Sequence, residues 1–219
     1  MQPHLGYKAI SIRGEPMLTI YPEEQTERDN YKLLIGSILP RPIAFITTLS
    51  AEGVLNAAPY SYFNIVSADP PMVSVSVQRK NGVRKDTSRN IMETGSFVVH
   101  ISDEDYIEAI NQTAANLPPD ESEVDFAQLT SLPSAKIKVP GIAEAKIRME
   151  CTLEQSLALG GTPSSPACDL IIGRVVCFHI AEELVESGRI DAQRLKPVSR
   201  LAGNNYSKLG EIFSIDRPN

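Results

Sequence analysis

The chain has 219 residues, a length that suits one domain, or one domain with appendages, and easily buries a sizeable core. Hydrophobic residues make up 42%, an ordinary share for a globular protein. The formal net charge of -6 argues against a general nucleic-acid binder, which needs a basic face for phosphates, and leaves room for a local basic pocket.

Residues 1–21 alternate weakly and read as an edge strand or an arm, and 22–30 are polar and charged. Asp29 or Asn30 is placed to cap a short helix over 31–35 that Gly36 ends. Pro40 and Pro42 then keep the chain extended. A β-branched run over 43–48 leads to a Glu52-Gly53 turn, and a second extended piece, 55–60, passes into the polar and aromatic corner Ser61-Tyr62-Phe63-Asn64. After the Pro70-Pro71 stop, a third run covers 72–77 and opens into a basic loop with Arg79, Lys80, Arg84 and Lys85. Asp86-Thr87-Ser88 is a helix start with Asp86 or Thr87 at the N-cap, and that helix runs through Ile91 and Met92 to Gly95.

Residues 97–101 are continuously apolar, the mark of a buried strand. Ser102 and Asp105 have capping-box-like spacing ahead of a helix over about 103–116. The stretch 118–140 is loop-rich, with one short helix near 122–129. Ile147, Met149, Cys151 and Leu153 alternate with Arg148, Glu150 and Thr152, which gives a half-buried strand over 145–159. A flexible connection over 160–166 precedes the last long strand, 170–180; 191–195 is one helical turn, and the tail over 196–219 turns at Gly203-Asn204-Asn205 before Tyr206. The tally is about six strands and a few short helices, without βαβ alternation or an internal repeat. A Rossmann sheet is disfavoured, and a small antiparallel barrel fits.

Cys151 and Cys177 sit in apolar runs, as buried thiols do, and Cys168 follows a Pro-Ser loop. No CxxC pair occurs, so a disulfide framework is not expected. His4, His100 and His179 are scattered, and the latter two read as core residues; no His/Cys/carboxylate group has metal-ligand spacing, so no metal is expected. GxSxG, P-loop and GxGxxG motifs are absent. The N-terminal stretch lacks an apolar core of signal-peptide length, and no run approaches a membrane span, which suggests a soluble cytoplasmic protein.

The chemistry concentrates between Arg41 and Asn90. Backbone amides at a helix N-terminus, a lysine and a hydroxyl make an anion site, so Lys85 and Thr87 lead the phosphate candidates, with Asp86 at the same helix start and Arg41 as a further cation. Thr47 and Thr48 are adjacent in a strand, so only one hydroxyl faces a given ligand. Together with the amides of the 61–64 corner, these groups suit an anionic, planar ligand.

The segment resembles the flavin reductase-like family, whose members are FMN-binding split β-barrels often associated with flavoprotein oxygenases. The matching pieces, in order, are Pro40-Arg41-Pro42-Ile43-Ala44, Thr47-Thr48, Gly53 with Asn56, Ala58-Pro59-Tyr60-Ser61-Tyr62-Phe63, Asp69-Pro70-Pro71 and Lys85-Asp86-Thr87. The similarity continues to Arg200-Leu201-Ala202-Gly203-Asn204-Asn205-Tyr206, where the family more often has a second glycine in place of Asn204 or Asn205. The resemblance implies a mainly β fold, a six-stranded Greek-key split barrel in a single domain, with residues 1–30 as an arm and 196–219 as a tail near the flavin or a dimer interface. It implies FMN as cofactor, with FAD compatible. Its ring is lined by Asn56, Ala57, Ala58, Ser61, Tyr62, Phe63 and Asn64, and Tyr206 approaches it from the tail. NAD(P)H is the implied transient reductant, an oxygenase or other acceptor the electron sink, and a homodimer the assembly. No side-chain acid or base is required for hydride transfer to a flavin, so no catalytic residue is assigned. A flavin-bound electron carrier and a non-enzymatic barrel module are the alternative readings.

Overall fold

The computed structural model describes residues 8–12 and 15–218. Two compact units divide it: residues 1–40 with 201–205, and residues 41–200 with 206–219.

In the first unit, β1 (Lys8–Ile12) and β2 (Glu15–Thr19) pair as an antiparallel hairpin, so part of the expected arm is a two-stranded ribbon; its residues 1–7 and 13–14 lie outside the described residues. The following helix, α1 (Glu27–Ser37), begins earlier than expected. Thr26, not Asp29 or Asn30, is the N-cap, and its Oγ1 accepts the Asp29 N–H at 3.1 Å. Acidic side chains in the first turn favour the helix dipole, which is why the charged stretch is helical and not loop.

The second unit carries the candidate chemistry. It opens with β3 (Arg41–Pro42), β4 (Ala44–Leu49), β5 (Leu55–Tyr60), β6 (Phe63–Ala68) and β7 (Pro71–Gln78), followed by α2 (Asp86–Thr94) and β8 (Ser96–Ile101). Next come α3 (Ile107–Gln112), α4 (Glu123–Phe126), β9 (Ser131–Leu132), β10 (Gly141–Ile142) and the long antiparallel pair β11 (Ile147–Leu159) and β12 (Cys168–Ile180). The unit closes with β13 (Val185–Glu186), β14 (Arg189–Ile190), α5 (Ala192–Leu195), β15 (Val198–Arg200) and β16 (Tyr206–Lys208).

The main sheet is antiparallel and seven-stranded, in the order β5-β4-β8-β11-β12-β7-β6. The strand beyond the expected six is β6, which begins inside the anticipated corner: Phe63 and Asn64 already pair with Val75 and Ser74. Ser61 and Tyr62 alone form the bend. A further three-stranded sheet joins the tail, as β16, through β15 to Arg41 and Pro42.

Strand alternation sends β4 to two cores. Ala44 and Ile46 pack with Val75, Val77, Ile91, Phe97, Val99, Cys151 and Ile171. Phe45 faces the other way, against Ala57 of β5, Ile142 of β10, and Tyr106, Ile110 and Val124 from the α3–α4 layer. Asp103 bridges Pro197 and residues 104–106 are turns, not the start of a helix; Ser102 Oγ bonds the Ile43 carbonyl at 3.2 Å instead of capping one. At Gly173 any Cβ would strike the buried Phe97 ring, so β12 needs glycine where that ring crosses it.

Among the described residues, no helix is long and apolar enough to cross a membrane.

Candidate functional site: a cationic groove at the start of α2

The basic loop is shaped by its own turn. Lys80 and Val83 exchange both backbone hydrogen bonds around Asn81-Gly82, whose φ angles are 53° and 75°. Asn-Gly is the favoured pair for such a two-residue turn, because both central residues must enter the left-handed region. The reversal brings Lys80, Arg84 and Lys85 to one groove of about 210 Å³, whose other walls include Ala58, Pro59, Tyr60, Asp86, Thr87 and Glu123.

Helix α2 begins at this groove. Its N-cap is Lys85, in extended conformation, not Asp86 or Thr87. The Asp86 carboxylate pairs with Arg89 within the first turn, and no side chain caps the helix. The Lys85 carbonyl takes the Arg89 N–H, which leaves the amides of Asp86, Thr87 and Ser88 without intrahelical acceptors. Those amides and the dipole make the helix end electropositive. Lys85 Nζ lies 5.8 Å from the Tyr60 ring centroid, and partial burial, then the charge of Lys80, lower its pKa. Tyr60 itself is buried, and burial raises its phenol pKa further above the ordinary value, so it stays a neutral donor.

A buried polar chain backs the groove. The Tyr60 hydroxyl donates to Thr87 Oγ1 at 2.9 Å, and Thr87 Oγ1 donates to Asn56 Oδ1 at 3.0 Å. Thr48 Oγ1 also donates to Asn56 Oδ1, at 3.2 Å, and accepts from Asn90 Nδ2 at 3.1 Å. Asn56 Nδ2 and the Ala57 N–H both donate to Glu123 Oε2, at 2.9 and 3.1 Å. Burial raises the Glu123 pKa, opposed by the Ala57 amide and the Asn56 side chain. The single Thr87 proton is committed to Asn56, so the groove's outward donors are Lys85, Arg84, Lys80 and the open amides, with Thr87 holding the floor.

A second buried carboxylate fixes the loop. Asp169, fully buried on β12, receives Arg79 through Nη2 at 2.5 Å and Nε at 3.1 Å, Arg84 Nε at 3.5 Å and Ser88 Oγ at 3.2 Å. Burial would raise its pKa, but Arg79 outweighs this and the net shift is downward. Arg79, unlike the exposed Lys80 of the same basic loop, is mostly covered and tied across to β12.

The groove gathers Asn56, Ala58, Lys85, Asp86 and Thr87 from the residues expected in the site. Thr48 touches its backing network, and Ala57 contributes only its N–H. Thr47 points to the opposite face, where its Oγ1 donates to the Pro140 carbonyl at 2.7 Å. Arg41 is buried in β3 opposite Arg200. Ser61, Tyr62 and Phe63 are half-buried and Asn64 exposed, none of them in the groove's lining. Tyr206 belongs to a different hollow with Ile107 and Lys208; its hydroxyl donates to Asn111 at 3.0 Å, and Arg200 stacks 4.4 Å from its ring centroid.

Glu123, Asp169, Arg79 and Tyr60 escaped sequence reasoning as site residues. Asn81-Gly82 was the available signal for the loop; nothing local marks Glu123 or Asp169, which act across 67 and 90 positions.

The model of the flavin reductase-like domain matches residues 35–195. The chain belongs to the flavin reductase-like family. It is 52% identical over 198 residues to the uncharacterised protein YwrF of Bacillus subtilis, covering 90% of this chain and 97% of that one. A solved structure of nitrilotriacetate monooxygenase component B from Bacillus cereus superposes with a TM-score of 0.90 at 68% identity, covering 91% of this chain and 98% of that one. The 2-nitrobenzoate 2-nitroreductase NbaA of Pseudomonas fluorescens gives 0.82 at 32% identity, covering 91% and 96%. Split-barrel neighbours accompany them, in agreement with the mainly β, antiparallel fold read from the sequence.

Proposed function

We propose that this protein is an FMN-binding oxidoreductase, a flavin reductase that takes hydride from NAD(P)H and passes electrons onward. The observation that carries the reading is the groove at the start of α2: open helix amides and the cationic Lys85 and Arg84 supply donors beside the small apolar wall of Ala58 and Pro59. That donor set fits a phosphate monoester, and the wall leaves room for a flat ring system to leave the groove along β5. Within this reading Lys85, Arg84 and the amides of 86–88 hold the phosphate. Thr87, Asn56 and Tyr60 keep the floor rigid, and Asp169 locks Arg84 and α2 in place. The ring is placed along Ala58 and the bend at Ser61 and Tyr62, with Phe63 and Asn64 beside it. Thr48 supports the floor through Asn56, whereas Arg41, Thr47 and Tyr206 lie away from the groove and take no part in holding the phosphate. Bound flavin supplies the hydride acceptor and electron store, while the protein binds and orients it.

The whole chain is taken as one flavin-binding domain with an arm and a tail, acting in the cytoplasm. A monooxygenase component B among the relatives supports an oxygenase as electron acceptor. Exposed Ile65, Val66 and Phe178, at 78%, 45% and 52%, support a homodimer that covers them. The visible absorption of the purified protein tests the reading. FMN bands that bleach anaerobically with NADH or NADPH are expected. FMN bands that nicotinamide leaves unchanged would instead favour reduction by a protein partner.

A further inference from the structure

A second polar cluster shares no residue with the groove. It lies on the β11–β12 ribbon, where Cys177 pairs opposite Glu150 just before a register shift between Glu150 and Cys151. Cys177 and His179, two apart on β12, point to the same face. Glu150 Oε1, His179 Nε2 and Cys177 Sγ all lie within 4.8 Å of one another. The closest pair is Nε2 to Oε1 at 2.6 Å, and Nε2 to Sγ is 3.6 Å. His179 is therefore not the buried core residue its apolar surroundings suggest, and Cys177 is only half-buried. The sequence hides this set because Glu150 comes from the neighbouring strand.

The geometry does not suit a nucleophilic relay. There, the carboxylate and the thiol contact different imidazole nitrogens, so that a proton can pass between them. Here one nitrogen, Nε2, faces both partners. Three donor atoms converging on one point is instead the arrangement a shared cation requires.

The carboxylate is also held in advance. Glu150 is fully buried and accepts the N–H groups of Ala135 at 2.6 Å, Lys136 at 2.7 Å and Ile137 at 3.2 Å. Burial alone would raise its pKa, but the Ala135 amide, His179 and Lys136 overcome this and hold it below the usual carboxylate value. It is an oriented anion, fixed by the kind of outer-shell hydrogen bonds that position metal ligands. The cations nearby are engaged elsewhere: Arg148 Nη1 points to the Ile142 carbonyl at 3.4 Å, and Lys146 Nζ sits 2.5 Å from Asp105.

We propose that Glu150, Cys177 and His179 bind a borderline divalent cation of the zinc class. A mixed sulfur, nitrogen and oxygen set suits Zn²⁺ and not the all-oxygen preference of Mg²⁺ or Ca²⁺. On binding, the ion replaces the hydrogen bond between Nε2 and Glu150. The imidazole carries its proton on Nδ1, the thiol proton leaves to solvent, and water completes the tetrahedron from the exposed side.

Cobalt reports this site directly, because a thiolate bound to Co²⁺ gives a sulfur-to-metal charge-transfer band in the near ultraviolet. The full-length protein, freed of metal, is titrated with Co²⁺ and then Zn²⁺. The expected result is a saturable band that Zn²⁺ abolishes and that Cys177→Ser lacks. In the same samples Zn²⁺ slows alkylation of Cys177 at least tenfold and leaves the half-buried Cys168 unaffected. No band, a band retained by Cys177→Ser, or equal alkylation of Cys177 with and without Zn²⁺ overturns the proposal. Should the serine variant fail to fold, the alkylation measurement on the wild type decides.

Discussion

His100 shows how much a single buried residue can constrain. Its Nδ1 donates to the Phe45 carbonyl at 2.9 Å and its Nε2 accepts the Ile142 N–H at 2.9 Å, so the neutral ring satisfies both partners. A second ring proton would face the Ile142 N–H and have no acceptor. Burial accordingly pushes the His100 pKa from 6.5 down to about 3, slightly offset by the Phe45 carbonyl. The sign follows from linkage. Between these values the unfolded chain binds a proton that the folded chain refuses, so stability is full above pH 6.5 and falls as pH drops towards about 3. We expect an excess slope of about 1.4 kcal/mol per pH unit in denaturant melts across that window, absent in a His100→Gln variant. The same slope in both proteins would contradict this account of His100.

At the scale of elements, α2 matters through what pins it. Ile91 is fully buried in the main core, Asn90 reaches Thr48, and Ser88 shares Asp169 with Arg79 and Arg84. The helix end that faces the groove is thereby tied to two strands of the sheet. Asp169→Asn removes the charge that balances two arginines, and we expect a loss of roughly 3 kcal/mol in stability with FMN affinity about tenfold weaker. Unchanged stability in a urea melt would show that the buried pair is not what orders the loop. The long β11–β12 ribbon tests the packing. Gly173→Ala drives a methyl into the Phe97 ring, and a loss of about 1–3 kcal/mol is expected from overpacking. A variant that melts with the wild type would mean that the ring moves aside freely.

For the whole molecule, the elements most legible in sequence were those with an unambiguous period. The alternation of Ile147, Met149, Cys151 and Leu153 gave β11, and the apolar run at 97–101 gave β8. The mainly β antiparallel barrel followed from their number and order, and the flavin reductase-like family from the spacing of short motifs between Pro40 and Thr87. Where reading failed, contacts distant in sequence had decided. Phe63 and Asn64 look like a polar corner but are recruited into β6 by pairing with β7. Glu123 sits in a four-residue helix with no local signature, yet its carboxylate anchors Asn56 beneath the groove. The hydroxyls of Thr47 and Thr48 diverge as strand geometry requires, and only register tells which one turns towards Asn56. Lys85, by contrast, was legible because a lysine beside a helix start is a local pattern.

The central claim is that the start of α2 holds a flavin phosphate. Its most direct measurement compares the affinities for FMN and riboflavin, which differ only in that phosphate, by flavin fluorescence quenching in the wild type and in a Lys85→Ala, Thr87→Ala double variant. Loss of charge-assisted contacts of about 1.5–3 kcal/mol corresponds to roughly ten- to hundredfold in affinity. The account predicts that the wild type prefers FMN by at least that margin, and that in the folded double variant, which keeps Arg84 and the helix amides, the preference falls at least tenfold. Equal affinities in the wild type, or an undiminished preference in the double variant, would contradict it.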